Sequence, residues 1–456
     1  MAPAAVLRAQ QQPPPGPGAE TGAESAGESG GDAWRDQLVR RLRHLDLPFT
    51  DWVLLRDVGD KVATLGQKAQ PAVAFEVEFA RDSADPRYRI RLLGVQARID
   101  TDAAVKQLEQ VVVGDDEALA ALAARVLGRV GAPTGRIAEL LKDRLARETR
   151  LSVRGALILA AGEAGATESA PLLQVMIEKG AVEGQELLWT WTALAQTAGR
   201  ELAVASDVWL VPESQFVGAA VLMARRWGLR TERELLELLA RSPAEPLRSW
   251  VLQTLAAVGG DDTRKALRQA VDADGAAPTV VVETGLDPRR LALLRLGDKD
   301  ARRWAIDQVV RAATRPEAEV RRLPELFGRW NVDGAAELLL EWAADPARSL
   351  LLRASAARGL CWMRDPRGLR AAAAVLQADA VDAHEPMELA GLQLAQQTLH
   401  QFVADAERPD YLGLLPGDRE KAGERGLRWR AWLDAREAAL QWRRPTPESA
   451  DLWRWY

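Results

Sequence analysis

Along most of the chain, apolar residues recur three and four apart, the stripe of a helix with one buried face. Each run ends on one apolar residue, then glycine or a small polar residue, then a short turn into the next run. That terminal position falls at Ile99, Val130, Ala164, Ala198, Trp227, Val258, Leu296, Trp330, Met363 and Phe402, about 34 residues apart. Three residues earlier stand residues such as Leu127, Ala161, Leu255, Leu293 and Phe327, which complete the stripe. The spacing leaves room for two helices per step, and a pair with a single apolar face is stable only when stacked on its neighbours.

The residue after the marker is Gly131, Gly165, Gly199, Gly228, Gly259 or Gly297 in six units, with Asp100 and Asn331 in the same slot elsewhere. A helix end that needs left-handed backbone favours glycine there. Thr134, Thr167 and Thr231 follow three residues after their glycines as expected helix N-caps, and Thr231 with Glu234 reads as a capping box.

Three segments carry a resemblance: Leu65 to Val73 with Pro71, Asp85-Pro86-Arg87-Tyr88-Arg89, and Leu127-Gly128-Arg129-Val130-Gly131. In these the chain, over about residues 50–405, resembles the HEAT and HEAT-like (phycobilisome-lyase-type) repeat family. Arg89, Arg154, Arg248 and Arg353, each about ten residues before a marker, fit the arginine position of that family. The resemblance implies a right-handed α-solenoid of about ten helix pairs, drawn out into an elongated arc, with those arginines as an inter-repeat ladder. It also implies a concave surface for a protein or peptide partner. Bilin attachment by lyase-type members and duplex binding by others are the alternatives it brings. The stretches 199–216 and 272–289 depart from the repeat.

Composition agrees with an all-α fold, since 47% of residues are apolar and Ala and Leu dominate over six Phe and three Tyr. Residues 1–32, with Gln10-Gln11-Gln12 and Pro13-Pro14-Pro15, read as a disordered tail; 33–416 as the solenoid with an N-terminal helical cap; and 417–456 as an aromatic C-terminal cap. The segment Pro3 to Ala9 resembles the end of a signal peptide without its apolar core, which leaves the compartment open. No window is long and apolar enough for a transmembrane helix. Lys plus Arg total 60 against 65 Asp plus Glu, a net charge of −5 that argues against a general nucleic-acid binder.

Candidate chemistry is sparse. His44, His384 and His400 have no Cys or His at ligand spacing, so no metal site is expected, and no phosphate loop, dinucleotide fingerprint or nucleophile elbow suggests a cofactor or an enzyme. The one cysteine, Cys361, lies in an apolar run and reads as core. Tryptophan is abundant, at sixteen residues. Trp189 and Trp191, two apart on a helix, point to different faces. With Trp209 in the long interruption, Arg248, and Trp429 and Trp432 in the arginine-rich C-terminal stretch, they are the candidate partner contacts. Capping the last repeat is the competing reading for Trp429 and Trp432.

Overall fold

The computed structural model describes residues 30–46, 52–129, 135–241, 243–273, 286–378, 386–404, 408, 409, 411, 419–436 and 439–443. Among them every regular element is helical, and the one β-bridge joins Val403 to Trp442. The first half of the chain forms α1 (Gly30–Arg43), α2 (Trp52–Leu65), α3 (Gln70–Phe79), α4 (Pro86–Gln96), α5 (Thr101–Val113), α6 (Glu117–Arg129), α7 (Gly135–Leu145), α8 (Leu151–Ala164), α9 (Ala170–Glu178), α10 (Gly184–Thr197), α11 (Arg200–Ala205) and α12 (Val217–Trp227). The second half forms α13 (Glu232–Ala240), α14 (Leu247–Val258), α15 (Asp261–Ala273), α16 (Pro288–Arg295), α17 (Lys299–Ala313), α18 (Glu317–Val320), α19 (Leu323–Trp330), α20 (Ala335–Ala344), α21 (Leu350–Trp362), α22 (Arg367–Leu376), α23 (Pro386–Phe402) and α24 (Arg419–Arg436).

Alternate helices touch. One row runs α2, α4, α6, α8, α10, α12, α14, α16, α19, α21, α23, each packed on the next, while the helices between them form a second row. The first row is the more apolar: α8 buries ten of its residues, whereas α15 buries only Thr263 and Leu267. Small residues set the spacing within it. A Cβ on Gly128 of α6 would lie 2.5 Å from Ala160 Cα of α8, so the two backbones meet there without a side chain between them.

The row does not stay open. α23 packs back on α2, and Arg408 Nη2 lies 3.0 Å from Asp57 Oδ1 across 351 residues of sequence. His400 Nδ1 is 3.7 Å from the same carboxylate oxygen, and Tyr411 belongs to the core built by residues of the first half while its ring meets His400 edge-on at 4.7 Å. Burial alone would push Asp57 up; His400 beside it and the charge and hydrogen bond of Arg408, which also donates from Nε to His400 Nδ1 at 3.3 Å, outweigh it and hold the carboxyl below its ordinary range. The expected elongated arc is therefore corrected: the neighbour-to-neighbour path closes, because the chain end supplies partners for the first helix of the row.

Most of the glycine turns form as the pattern predicts. Gly165, Gly228 and Gly297 have positive φ, and Asn331 takes the same left-handed conformation. Two differ: Gly199 (φ −70°, ψ 168°) and Gly259 (φ −73°, ψ 159°) are extended. The turn at Gly259 is too tight for a side chain, because a Cβ would lie 2.5 Å from Leu255 O and from Thr263 Oγ1. Gly131, with Val130 and Thr134, lies outside the described residues.

The capping box at Thr231 does not form, for Thr231 makes no side-chain cap. Its neighbour Glu232 reaches one repeat onward instead, accepting from Gly260 N at 2.9 Å and Thr263 N at 2.7 Å at the start of α15. Thr167 opens a short 3-10 turn without capping it. Of the expected N-terminal tail, residues 1–29 lie outside the described residues, and Gly30 to Asp32 already belong to α1.

Candidate partner-binding surface

Arginines join each repeat to the next. Arg154 forks onto Glu186 (2.5 and 2.7 Å), as the ladder reading expects. Arg89 reaches only Gln107 of the following helix, and Arg248 and Arg353 turn onto carbonyls just before their own helices, Pro243 O at 3.1 Å and Ala343 O at 3.2 Å. The links that span a repeat come mainly from other arginines. Arg125 and Arg129 both grip Glu163; Arg226 donates to Ala195 O (2.6 Å), Arg264 to Leu296 O (3.1 Å) and Arg295 to Arg329 O (2.9 Å). These partners stand 31 to 38 residues apart, so hydrogen bonding repeats with the period of the apolar markers.

Arg98, Arg129, Arg226, Arg295 and Arg329 each immediately precede a marker; Arg226 and Arg295 donate to carbonyls, while Arg98, Arg129 and Arg329 reach Asp60, Glu163 and Glu325. At the C-terminal end of a helix a guanidinium meets carbonyls without intrahelical donors and the negative end of the helix dipole. Indole faces complete the arrangement, with Arg295 4.8 Å from the ring centroid of Trp330 and Arg329 5.2 Å from that of Trp362. Tryptophans at or beside the markers thus pack against arginines that are already engaged.

The other tryptophans divide by burial. Trp191 is 9% exposed, donates from Nε1 to Gln215 O at 2.7 Å, meets Trp250 edge-on at 6.2 Å and fills the space that a Cβ on Gly218 would need. Trp429 is 1% exposed and packs on His400 and Trp432. Both are core residues, which corrects the reading of Trp191 as a surface anchor and, of the two readings of Trp429, matches the burial expected of a cap rather than of a partner contact. α24, which carries Trp429 and the half-buried Trp432, lies along α22. Trp189 is half-buried with its ring over Gly155, where a Cβ would lie 2.5 Å from Cζ3.

Trp209 is different. It is half-buried and stacks on Phe216 at 4.5 Å, while its neighbours Val204, Val208 and Val211 are 56, 70 and 44% exposed. Apolar side chains are concentrated here because α11 ends after six residues and a 3-10 turn (Ser206–Trp209) turns the valines outward. Isolated exposed valines are ordinary, but three within eight residues beside one half-buried tryptophan are a concentration of apolar surface.

Among the described residues no group of His, Cys, Asp and Glu is placed to hold a metal ion, and His384 lies outside them. Burial pushes the Cys361 thiol up, as suits a core residue. No helix of the described residues is long and apolar enough to cross a membrane. No family model matches the chain, and no curated protein matches it significantly.

Proposed function

We propose that this chain is a non-enzymatic helical-repeat scaffold, a right-handed α-solenoid of about ten HEAT-like helix pairs, that holds a protein or peptide partner. The observation that carries the reading is the apolar patch of Val204, Val208 and Val211 beside the stacked Trp209 and Phe216. The half-buried Trp209, held rigid by stacking on the buried Phe216, offers contact area beside the exposed valines at little entropic cost. The first-row arginines suit a partner less well, since they are engaged by carbonyls and carboxylates of adjacent repeats. Val204 lies on α11, and Val208, Trp209 and Val211 follow it, between α10 and α12 in the chain, so the partner contacts the segment that joins two helices of the first row.

A photo-crosslinking side chain placed at Val208, and separately at the exposed Arg233 as control, tests this in the native host. The reading expects a discrete adduct from position 208 that disappears with Trp209→Ala. Equal labelling from both positions, or none from 208, contradicts it.

A further inference from the structure

In the second row, α3 continues without a break into 3-10 turns at both ends, Gly66–Ala69 before it and Ala80–Asp82 after it. It packs on α1 and α4 and buries Ala72, Val73, Glu76 and Val77. On its other side Lys68, Pro71, Phe75, Phe79 and Asp82 are exposed, at intervals of three and four residues that place them on one face. Phe75 and Phe79 are 57 and 60% exposed. Two phenylalanines one helical turn apart make a contiguous apolar surface, which a soluble helix seldom leaves to water. This surface shares no residue with the valine patch that follows α10.

Charge is arranged symmetrically about the apolar centre. Lys68 stands seven residues before Phe75, and Asp82 stands seven after it. Neither makes an ion pair among the described residues, and the Lys68 ammonium lies over the Trp34 ring of α1 at 5.7 Å. The charges beside the rings are matched within the chain. Arg81 pairs with Glu78 at 2.8 Å, and Arg43 of α1 pairs with the buried Glu76 at 3.1 Å while its guanidinium lies 5.8 Å from the Phe79 ring centroid.

A two-fold contact requires a patch that complements itself. Laid antiparallel on a copy of itself with the axis at Phe75, this face sets Lys68 opposite the partner's Asp82, and Asp82 opposite the partner's Lys68, because both lie the same distance from the axis. A parallel arrangement would set like charge against like. The phenylalanines then cover one another, and the charges at either end decide the direction.

We propose that the outer face of α3 is a self-association surface on which a second copy of this chain docks antiparallel, through Phe75 and Phe79 with Lys68 and Asp82 fixing the direction. One helix per copy is smaller than the roughly 800 Å² per partner of a standard interface, so the dimer is reversible and depends on concentration.

Sedimentation equilibrium of the full chain over a wide range of concentration tests this. The weight-average mass is expected to rise from monomer towards dimer and no further. Phe75→Ser changes an exposed position, so the fold should survive by circular dichroism while dimerisation weakens at least ten-fold. Lys68→Glu and Asp82→Lys, each measured alone, bring like charges together twice per dimer and should weaken it by a similar factor. Mixed in equal amounts, these two variants present only opposite charges to each other and should recover the affinity of the unaltered chain. A full chain that stays monomeric, an undiminished dimer in Phe75→Ser, or charge variants that associate no better mixed than alone would overturn the proposal.

Discussion

The contact between α6 and α8 and the contact between α2 and α23 both join helices of the first row, yet they are built from different materials. At the first, Gly128 lets the backbones meet, alanines fill the interface, and Arg125 and Arg129 clamp Glu163 from the side. At the second, few backbone positions approach, and the join rests on Asp57, His400 and Arg408 with one aromatic, Tyr411, seated in the opposite core. A repeat contact is continuous apolar burial, which scales with area. The closing contact is a polar clasp, whose net contribution is small because desolvation offsets attraction. Closure is thus a separable property of the fold, and substitutions should distinguish it from repeat stability.

The largest effect is expected behind the clasp. Trp429→Ala removes a fully buried indole that supports His400, and should cost about 3–5 kcal/mol in denaturant unfolding. An unchanged midpoint would show that α24 is dispensable to the core. Next is Gly128→Leu, where the new side chain would press on Ala160 backbone and lose about 1–3 kcal/mol. A loss no greater than that of an exposed control would break the distinction between the two contacts.

Turn glycines follow. Gly165→Val places a β-branched residue at φ 62° and should cost about 1–3 kcal/mol, against no more than about 0.5 for Arg147→Ala, an exposed residue. The same valine at Gly199, where φ is −70° and no atom lies within 4 Å of an added Cβ, should be milder than at Gly165. Equal costs at 165 and 199 would mean that backbone sign does not govern these turns.

Smallest in global stability, and most specific to the clasp, is Asp57→Asn, expected to cost about 1 kcal/mol. Its pH dependence has a defined sign. The Asp57 carboxyl is held below its ordinary 3.8, so its stabilisation is fully present above that value and is lost as pH falls through the lower folded value. Unfolding measured from pH 5 downwards should therefore show the native chain losing an advantage over Asp57→Asn only below about 3.8. An advantage that vanishes at higher pH, or persists undiminished at pH 2, would contradict the pairing.

The repeating part of this architecture is legible in the sequence because it is local. Leu127, Ala161 and Phe327 follow helical spacing, and the glycine after each marker declares a turn, correctly as left-handed at 165, 228 and 297. At Gly259 the same residue answers a different need, close approach, which sequence cannot distinguish from positive φ. The ladder has another address, the arginine immediately before a marker, which meets helix-end carbonyls at Arg226 and Arg295 and carboxylates at Arg98, Arg129 and Arg329. Burial of Trp191 and Trp429 depends on Gly218 and His400, which lie on other helices, so helical periodicity of their own segments does not reveal it. Closure left no trace at all: Asp57 and Arg408 are ordinary charges until the fold places them 3.0 Å apart.

That closure is most directly tested by the distance between spin labels at Lys61 and Ala404, both exposed and each one helical turn or four residues from a member of the clasp. Labels enter through Lys61→Cys and Ala404→Cys, while native Cys361 is buried and its thiol pushed up, so it stays unlabelled. A closed row predicts one narrow, short distance in the full chain that broadens in Asp57→Asn. A single long distance approaching the roughly 80–100 Å span of an open row at 8–10 Å per helix would contradict it.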